Sequence, residues 1–231
     1  MKLLQEKPLS YIIRSNEIED RIDAPFYHPM YLEITEKIDS ARWPVKRFRE
    51  VTTKIRKGIF YILASEYKEQ GVPFIRVCNI KDLSIDRKDL RFISEQKHYE
   101  ERKTGFKAGD ILISKGGTIG RIAIVPRDMP TCNISQDVIG VSLTEEVKPE
   151  YVVAFMLTSL GKMQLARGAS GPVQAHLTLE VIRELRILVP PIDIQEKIGS
   201  MILQAYRRRR ELLLRTAEFG RKVNEIIGHS L

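Results

Sequence analysis

Apolar residues recur along this chain in three rhythms, and each predicts a different kind of element. Between Pro29 and a Trp43-Pro44 breaker, Tyr31, Ile34 and Ile38 fall at helical spacing with Leu32 and Thr35 alongside, which predicts a helix with one core face. From residue 45 to residue 93 the rhythm shortens. Residues 45–51, 59–63, 73–78 and 90–93 form short β-branched or aromatic runs separated by Gly, Asp and Asn, the pattern of a β-rich block. Ser94 offers a cap to a short charged helix over 94–103. Residues 111–113 and 122–125 then flank Gly116, Gly117 and Gly120, which reads as strand, glycine-rich turn, strand. A further strand is predicted over 133–143. Pro149 opens a very apolar helix carrying Val152, Val153, Phe155, Met156, Leu157 and Leu160 as far as about Leu165. Thr178 caps a short helix, and residues 185–189 close the region as a strand.

The third rhythm follows Pro190-Pro191. Asp193 and Glu196 have capping-box spacing, and beyond them Ile198, Ile202, Ala205, Arg209, Leu212, Thr216, Phe219, Val223 and Ile226 recur by alternate steps of four and three. No proline interrupts this seam before Gly228. About 36 residues at ~1.5 Å each make a rod of roughly 54 Å, too long and one-sided for a domain of this size to bury. The pattern therefore predicts an α+β chain in two parts: a mixed, β-rich domain over residues 1–189, and one long coiled-coil helix within 190–231 that needs a second helix against it.

Composition narrows what such a chain can do. With 231 residues and 43% apolar content it has enough material for a packed core. The 38 Lys and Arg against 30 Asp and Glu leave a net charge of +8, with a pI near 9.4, which favours a polyanionic partner. Cys78 and Cys132 are far apart and carry no C-x-x-C, so neither a disulfide framework nor a cysteine zinc site is indicated. The residues after Met1 hold no apolar core of signal-peptide length, and no apolar run approaches a membrane span; the expected address is the cytoplasm, with no membrane partner.

Candidate chemistry gathers at two glycine loops. Lys115 and Arg121 bracket the first, and Ser114, Lys115, Gly116, Gly117, Thr118, Asn133, Ser135 and Gln136 put donors and acceptors on or beside it. Arg167, Ser170, Gln174 and His176 do the same around the second, at Gly168 and Gly171. Asn, Gln, Lys and Arg make forked contacts to base edges, but the same residues also cap turns, and Asn133 and Gln136 can equally stitch the hairpin to its neighbouring strand. Nucleotide-binding fingerprints are missing: Gly120 is followed by Arg121 and Ile122 rather than the Lys-Ser/Thr of a phosphate loop, and no G-x-G-x-x-G occurs. Asp110 and Lys115 have no second carboxylate suitably spaced for a nuclease metal site, and the four histidines are scattered. Arg207 to Arg210 read either as a solvated face of the long helix or as phosphate contacts.

The order of four pieces carries a resemblance. Residues 71–77 read Gly-Val-Pro-Phe-Ile-Arg-Val. Gly109-Asp110-Ile111-Leu112-Ile113-Ser114 is followed by Gly117-Thr118-Ile119-Gly120 and then by Asn133-Ile134-Ser135-Gln136. Finally Val189-Pro190-Pro191 leads, with Gln195 and Ile198, into the long helix. In this order they resemble the specificity subunit of Type I restriction-modification systems, over roughly residues 20–228. That family pairs two target recognition domains with two long antiparallel helices that also dock the methyltransferase subunits, whereas this chain resembles one half: a single recognition domain and a single helix.

The resemblance implies a non-catalytic subunit that recognises a sequence in double-stranded DNA and directs a methyltransferase, and in some complexes a restriction subunit, to it. The Asn/Asp-Pro-Pro-Tyr/Phe loop of adenine methyltransferases is absent, because Pro190-Pro191 lies between Val189 and Ile192. No cofactor is therefore expected in this chain, and S-adenosylmethionine is expected in the partner. Ile198, Ile202, Ala205, Leu212, Phe219, Val223 and Ile226 are the expected pairing surface, for a second copy or for another half-specificity subunit. The other reading the residues allow is a basic adaptor that binds RNA or protein through the same surface and helix.

Overall fold

The computed structural model describes residues 10, 12–15, 18, 23–169 and 177–228. Helix α1 (Pro29–Asp39) begins at a proline, with His28 Nδ1 accepting from the Met30 amide, and it buries Ile34 and Ile38, the stripe predicted for it. Strand β1 (Val45–Arg47) ends in a 3-10 turn and is followed by β2 (Thr52–Lys57), β3 (Val72–Ile75), a small hairpin β4 (Ile80–Lys81) and β5 (Ser84–Ile85), and β6 (Arg91–Ile93). Helix α2 (Glu95–Glu100) is capped by Ser94, whose hydroxyl accepts from the Lys97 amide. Strands β7 (Gly105–Lys107), β8 (Ile111–Ser114), β9 (Ile122–Ile124), β10 (Thr131–Ile134) and β11 (Val138–Leu143) complete the β-rich block. Helices α3 (Pro149–Leu157), α4 (Ser159–Ala169) and α5 (Leu179–Glu184), strand β12 (Arg186–Leu188) and helix α6 (Ile192–Gly228) follow.

Two four-stranded sheets form the body, one in the order β6-β3-β10-β7 and one in the order β2-β11-β8-β9. The second contains the predicted hairpin, with Ile111 paired to Ile124 and Ile113 to Ile122. Strand alternation splits this sheet between two cores: Ile111, Ile113, Ile139 and Val141 face a helical core with Ile38, Phe48, Val152 and Leu165, while Leu112, Ala123 and Val138 face Phe106, Cys132 and Ile134 across from the other sheet. At Gly140 the two sheets meet so closely that a Cβ would lie 2.3 Å from the Phe106 ring. Burial pushes the Cys132 thiol up to about 12.

Three expectations for the residues before α6 need correction. Residues 59–63 are not a strand: Ile59 makes a lone bridge to Ser135, Ile59 and Ile62 turn inward, and Phe60, Tyr61 and Leu63 stand exposed. The apolar run served two masters, a core contact and a surface loop. Residues 133–143 are two strands in different sheets, β10 and β11, because the Val138 amide donates to the Ser135 carbonyl and turns the chain between them. The helix predicted from Pro149 to about Leu165 breaks at Thr158, whose hydroxyl donates to the Phe155 carbonyl; Gly161 then approaches so closely that a Cβ would lie 2.4 Å from the Met156 Cα.

Helix α6 is continuous over 37 residues, as the absence of proline predicted. Its capping differs from the sequence reading. Asp193 lies inside the first turn, and Gln195, 1% exposed, does the anchoring instead. Its Oε1 accepts from the Lys148 amide at 2.9 Å, and its Nε2 donates to the carbonyls of Glu146 (3.0 Å) and Pro190 (2.8 Å). This seats the start of α6 at the start of α3. Ile198 packs against the helical core, and a Cβ on Gly199 would meet that of Glu150 at 2.8 Å. A hydroxyl contact between Ser84 and Tyr206 adds a further tie to the body, and Arg209 and Leu213 still line a cavity with residues 81–88. Ile198, expected on the pairing surface, is therefore covered by its own chain, and Ile202 is half-buried. Leu212 and Phe219 remain 63% and 69% exposed, with Ala205 and Ile226 also exposed and Val223 half-buried. Among the described residues no helix is long and apolar enough to cross a membrane.

Candidate nucleic-acid interface

Four loops converge at one end of the two sheets. The loop after β2 is fixed by the Gly58 amide donating to the Val138 carbonyl and the Ile59 amide to the Ile134 carbonyl, at 3.2 and 2.8 Å. Gly58 is required for this approach, since a Cβ would fall 1.9 Å from the Ile134 oxygen. The turn between β10 and β11 lies beside it, held to the end of β3 by the Ser135 amide and the Ile75 carbonyl at 2.9 Å. The hairpin loop between β8 and β9 joins the same cluster through the Lys115 amide, 2.8 Å from the Asp137 carbonyl. The turn after β3 closes the ring: Val77 Cγ1 would lie 3.5 Å from a Cβ on Gly117, a residue held at φ +64°. The Leu177 amide donates to the Lys115 carbonyl, which brings the residues leading into α5 to this cluster.

The predicted residues divide into frame and surface. Ser114 is fully buried; its hydroxyl donates to the Thr118 carbonyl at 2.5 Å and accepts from the Arg121 amide at 2.9 Å, closing the hairpin loop on itself. Asn133 is also fully buried. Its Oδ1 meets His98 Nδ1 at 2.5 Å, and its Nδ2 donates to the Glu101 carbonyl and the Thr104 hydroxyl. It is a stitch, as one reading of the sequence allowed, although it ties β10 to the turn after α2. Gly117 and Thr118 are exposed, Gly116 is buried, and Lys115, Ser135 and Gln136 are half-buried at the rim. The Lys115 ammonium has no hydrogen bond or ion pair among the described residues.

Arg167 is not brought to this cluster. Helix α4 turns Leu165, Ala166 and Ala169 towards Thr118 and Gly120 around a cavity of about 630 Å³. Arg167 points elsewhere, its Nε donating to the Phe26 carbonyl at 3.0 Å and its guanidinium lying 3.9 Å over the Phe26 ring. Ser170, Gln174 and His176 lie outside the described residues.

Sequence reasoning passed over Phe60 and Tyr61, because an apolar run reads as a strand until its burial is known. It also passed over the basic residues of β2. Arg56 and Lys57 are exposed at the end of that strand beside the loops. Lys54 lies with its ammonium 4.2 Å over the Phe106 ring and donates to the Gly105 carbonyl; burial lowers its pKa.

A rigid β-sheet frame that presents short polar loops and cations at one end, with a helix running out from the other side of its core, defines a loop-bearing recognition scaffold. The chain belongs to the family of the Type I restriction modification DNA specificity domain, whose pattern it matches over residues 41–215. It is 26% identical to the Type I restriction enzyme EcoBI specificity subunit of Escherichia coli over 139 residues, which are 60% of this chain and 29% of that protein. Its fold is similar to that of a chain from the type I R-M system, solved in a study of complex assembly and conformational transition, with a TM-score of 0.58 and 19% identity over 87% of this chain and 49% of that one. The HsdS subunit from Thermoanaerobacter tengcongensis is also similar, with a TM-score of 0.54 and 16% identity over 78% of this chain and 44% of that one. The chain thus spans about half the length of these solved structures and less of the curated relative.

Proposed function

We propose that this chain is a non-catalytic DNA-recognition component: residues 1–189 read a sequence in duplex DNA, and residues 190–231 assemble the reader with its partners. The convergence of the four loops carries this reading, because phosphate contacts fix register while donors on a rigid support read base edges. Lys115, Gly117, Thr118, Ser135 and Gln136 form the contact surface, and the buried Ser114, Gly116 and Asn133 hold it in shape. The partners are a methyltransferase subunit that brings S-adenosylmethionine and, in a cleaving complex, a restriction subunit, all acting on DNA in the cytoplasm. The exposed seam at Leu212, Phe219 and Ile226 joins a second copy in antiparallel fashion, which suits two-fold symmetry and places two readers at opposite ends.

Selection of bound duplexes from a random pool tests this reading. The expected product is an interrupted inverted repeat, with both halves read by the same loops. Salt-dependent binding with no recovered sequence would overturn it in favour of a basic adaptor. Lys115→Ala should weaken binding by about 1 to 3 kcal/mol and relax preference at one position if it forks to a guanine.

A further inference from the structure

We propose that Phe60 and Tyr61 form an aromatic contact with the bases themselves, a specificity-determining element that rests on the DNA-reading role above and deepens it. The rings are 76% and 70% exposed, and among the other described aromatics of the body only Tyr99 is as open. Neither is needed for folding, because the same run sends Ile59 and Ile62 into the core with Val72, Phe74 and Ile93.

The loop that carries them is held at both ends. On one side Ile59 is fixed to β10 by its amide. On the other, the Glu66 carboxylate accepts from the Leu63 amide at 2.7 Å, and the Glu66 amide donates to the Leu63 carbonyl at 3.0 Å. Lys97 lies 2.8 Å from the same carboxylate, and its hydrogen bond holds the Glu66 pKa below the usual range. Two apolar rings are thus presented on an anchored loop, and the adjoining acid is already neutralised. This lowers the entropy lost on contact.

The surroundings favour a polyanion over an apolar protein surface. Arg56 and Lys57 precede the loop, Lys68 follows it, and Lys115 stands across the β10–β11 turn; none forms an ion pair among the described residues. Glu69 and Asp137, the latter in the β10–β11 turn itself, are likewise without such a pair among them, two acids against these four cations. Aromatic rings between cations meet the two chemistries that nucleic acid alternates, π faces and phosphates. A ring there either wedges into a base step or packs on a thymine methyl.

The test uses the duplex recovered by selection with the intact chain. Phe60→Ala with Tyr61→Ala should weaken binding to that duplex about tenfold or more, leave the salt dependence and thermal melting unchanged, and leave binding to random duplex nearly unchanged. Brightening of 2-aminopurine placed in the site marks a wedge, and weakening on replacing thymine by uracil marks methyl packing; either supports base contact. If the double variant binds the selected duplex as tightly as the parent, this inference fails while the recognition role stands. An equal loss on random duplex would move the rings to the sugar-phosphate backbone and overturn it. Should the parent recover no sequence, the recognition role fails first and this inference with it.

Discussion

The two halves of α6 follow one heptad pattern and live in different worlds. From Ile192 to Tyr206 the helix is part of the body, tied by Gln195, Ile198 and Tyr206; from Leu212 to Gly228 it carries the same spacing of large apolar residues into water. Periodicity states that a helix has a face to cover. It does not state whether the cover comes from the same chain. Only tertiary contacts separate the two cases, and here the division falls within a single uninterrupted helix.

The comparison is sharpened most by damage to the body. Phe74 is 1% exposed and packs with Val72 and Ile93 beneath the loops. Phe74→Ala should cost about 3 to 5 kcal/mol of stability, read as a fall in the urea midpoint, because it leaves a cavity where the sheet supports the loop after β2. A loss below about 1 kcal/mol would mean that this layer is loosely packed and the loop poorly supported.

Gln195→Leu should come next, at about 2 to 3 kcal/mol. The Lys148 amide and the Glu146 and Pro190 carbonyls would lose their partner where water has little access. Hydrogen exchange should rise in the first turns of both α3 and α6. Faster exchange confined to α6 would show that α3 holds its own start without this side chain.

What the sequence made legible follows the same division. The β8–β9 hairpin was plain because Ile111, Ile113, Ile122 and Ile124 alternate around glycines that must turn, and α6 was plain because nothing breaks it. The run from Ile59 to Leu63 was misread because β-branched and aromatic content does not distinguish a half-exposed loop from a strand. Strand β2 was missed altogether: its single apolar residue, Ile55, sits among two threonines and three cations, and its pairing partner β11 lies far along the chain. At the candidate site, residue type identified the loops but not the roles within them. Ser114 and Asn133 look like readers in sequence and are buried struts in space, which only their hydrogen bonds reveal.

The smallest effect on folding should come from the outer half of α6, and it is the most informative. Leu212→Asp with Phe219→Asp changes two side chains that are 63% and 69% exposed, so the isolated monomer should keep its melting behaviour to within about 0.5 kcal/mol. Association should respond in the opposite way. Burying a side chain of this kind is worth roughly 1.5 to 3 kcal/mol, and antiparallel pairing would bury both in each copy, so two carboxylates on the seam should abolish self-association in sedimentation at micromolar concentration. A parent chain that is monomeric under the same conditions would assign the seam to another half-specificity subunit or to the methyltransferase. A variant whose monomer unfolds early would mean that the outer half is packed against its own chain, and that the two halves of α6 do not differ as the structure has them.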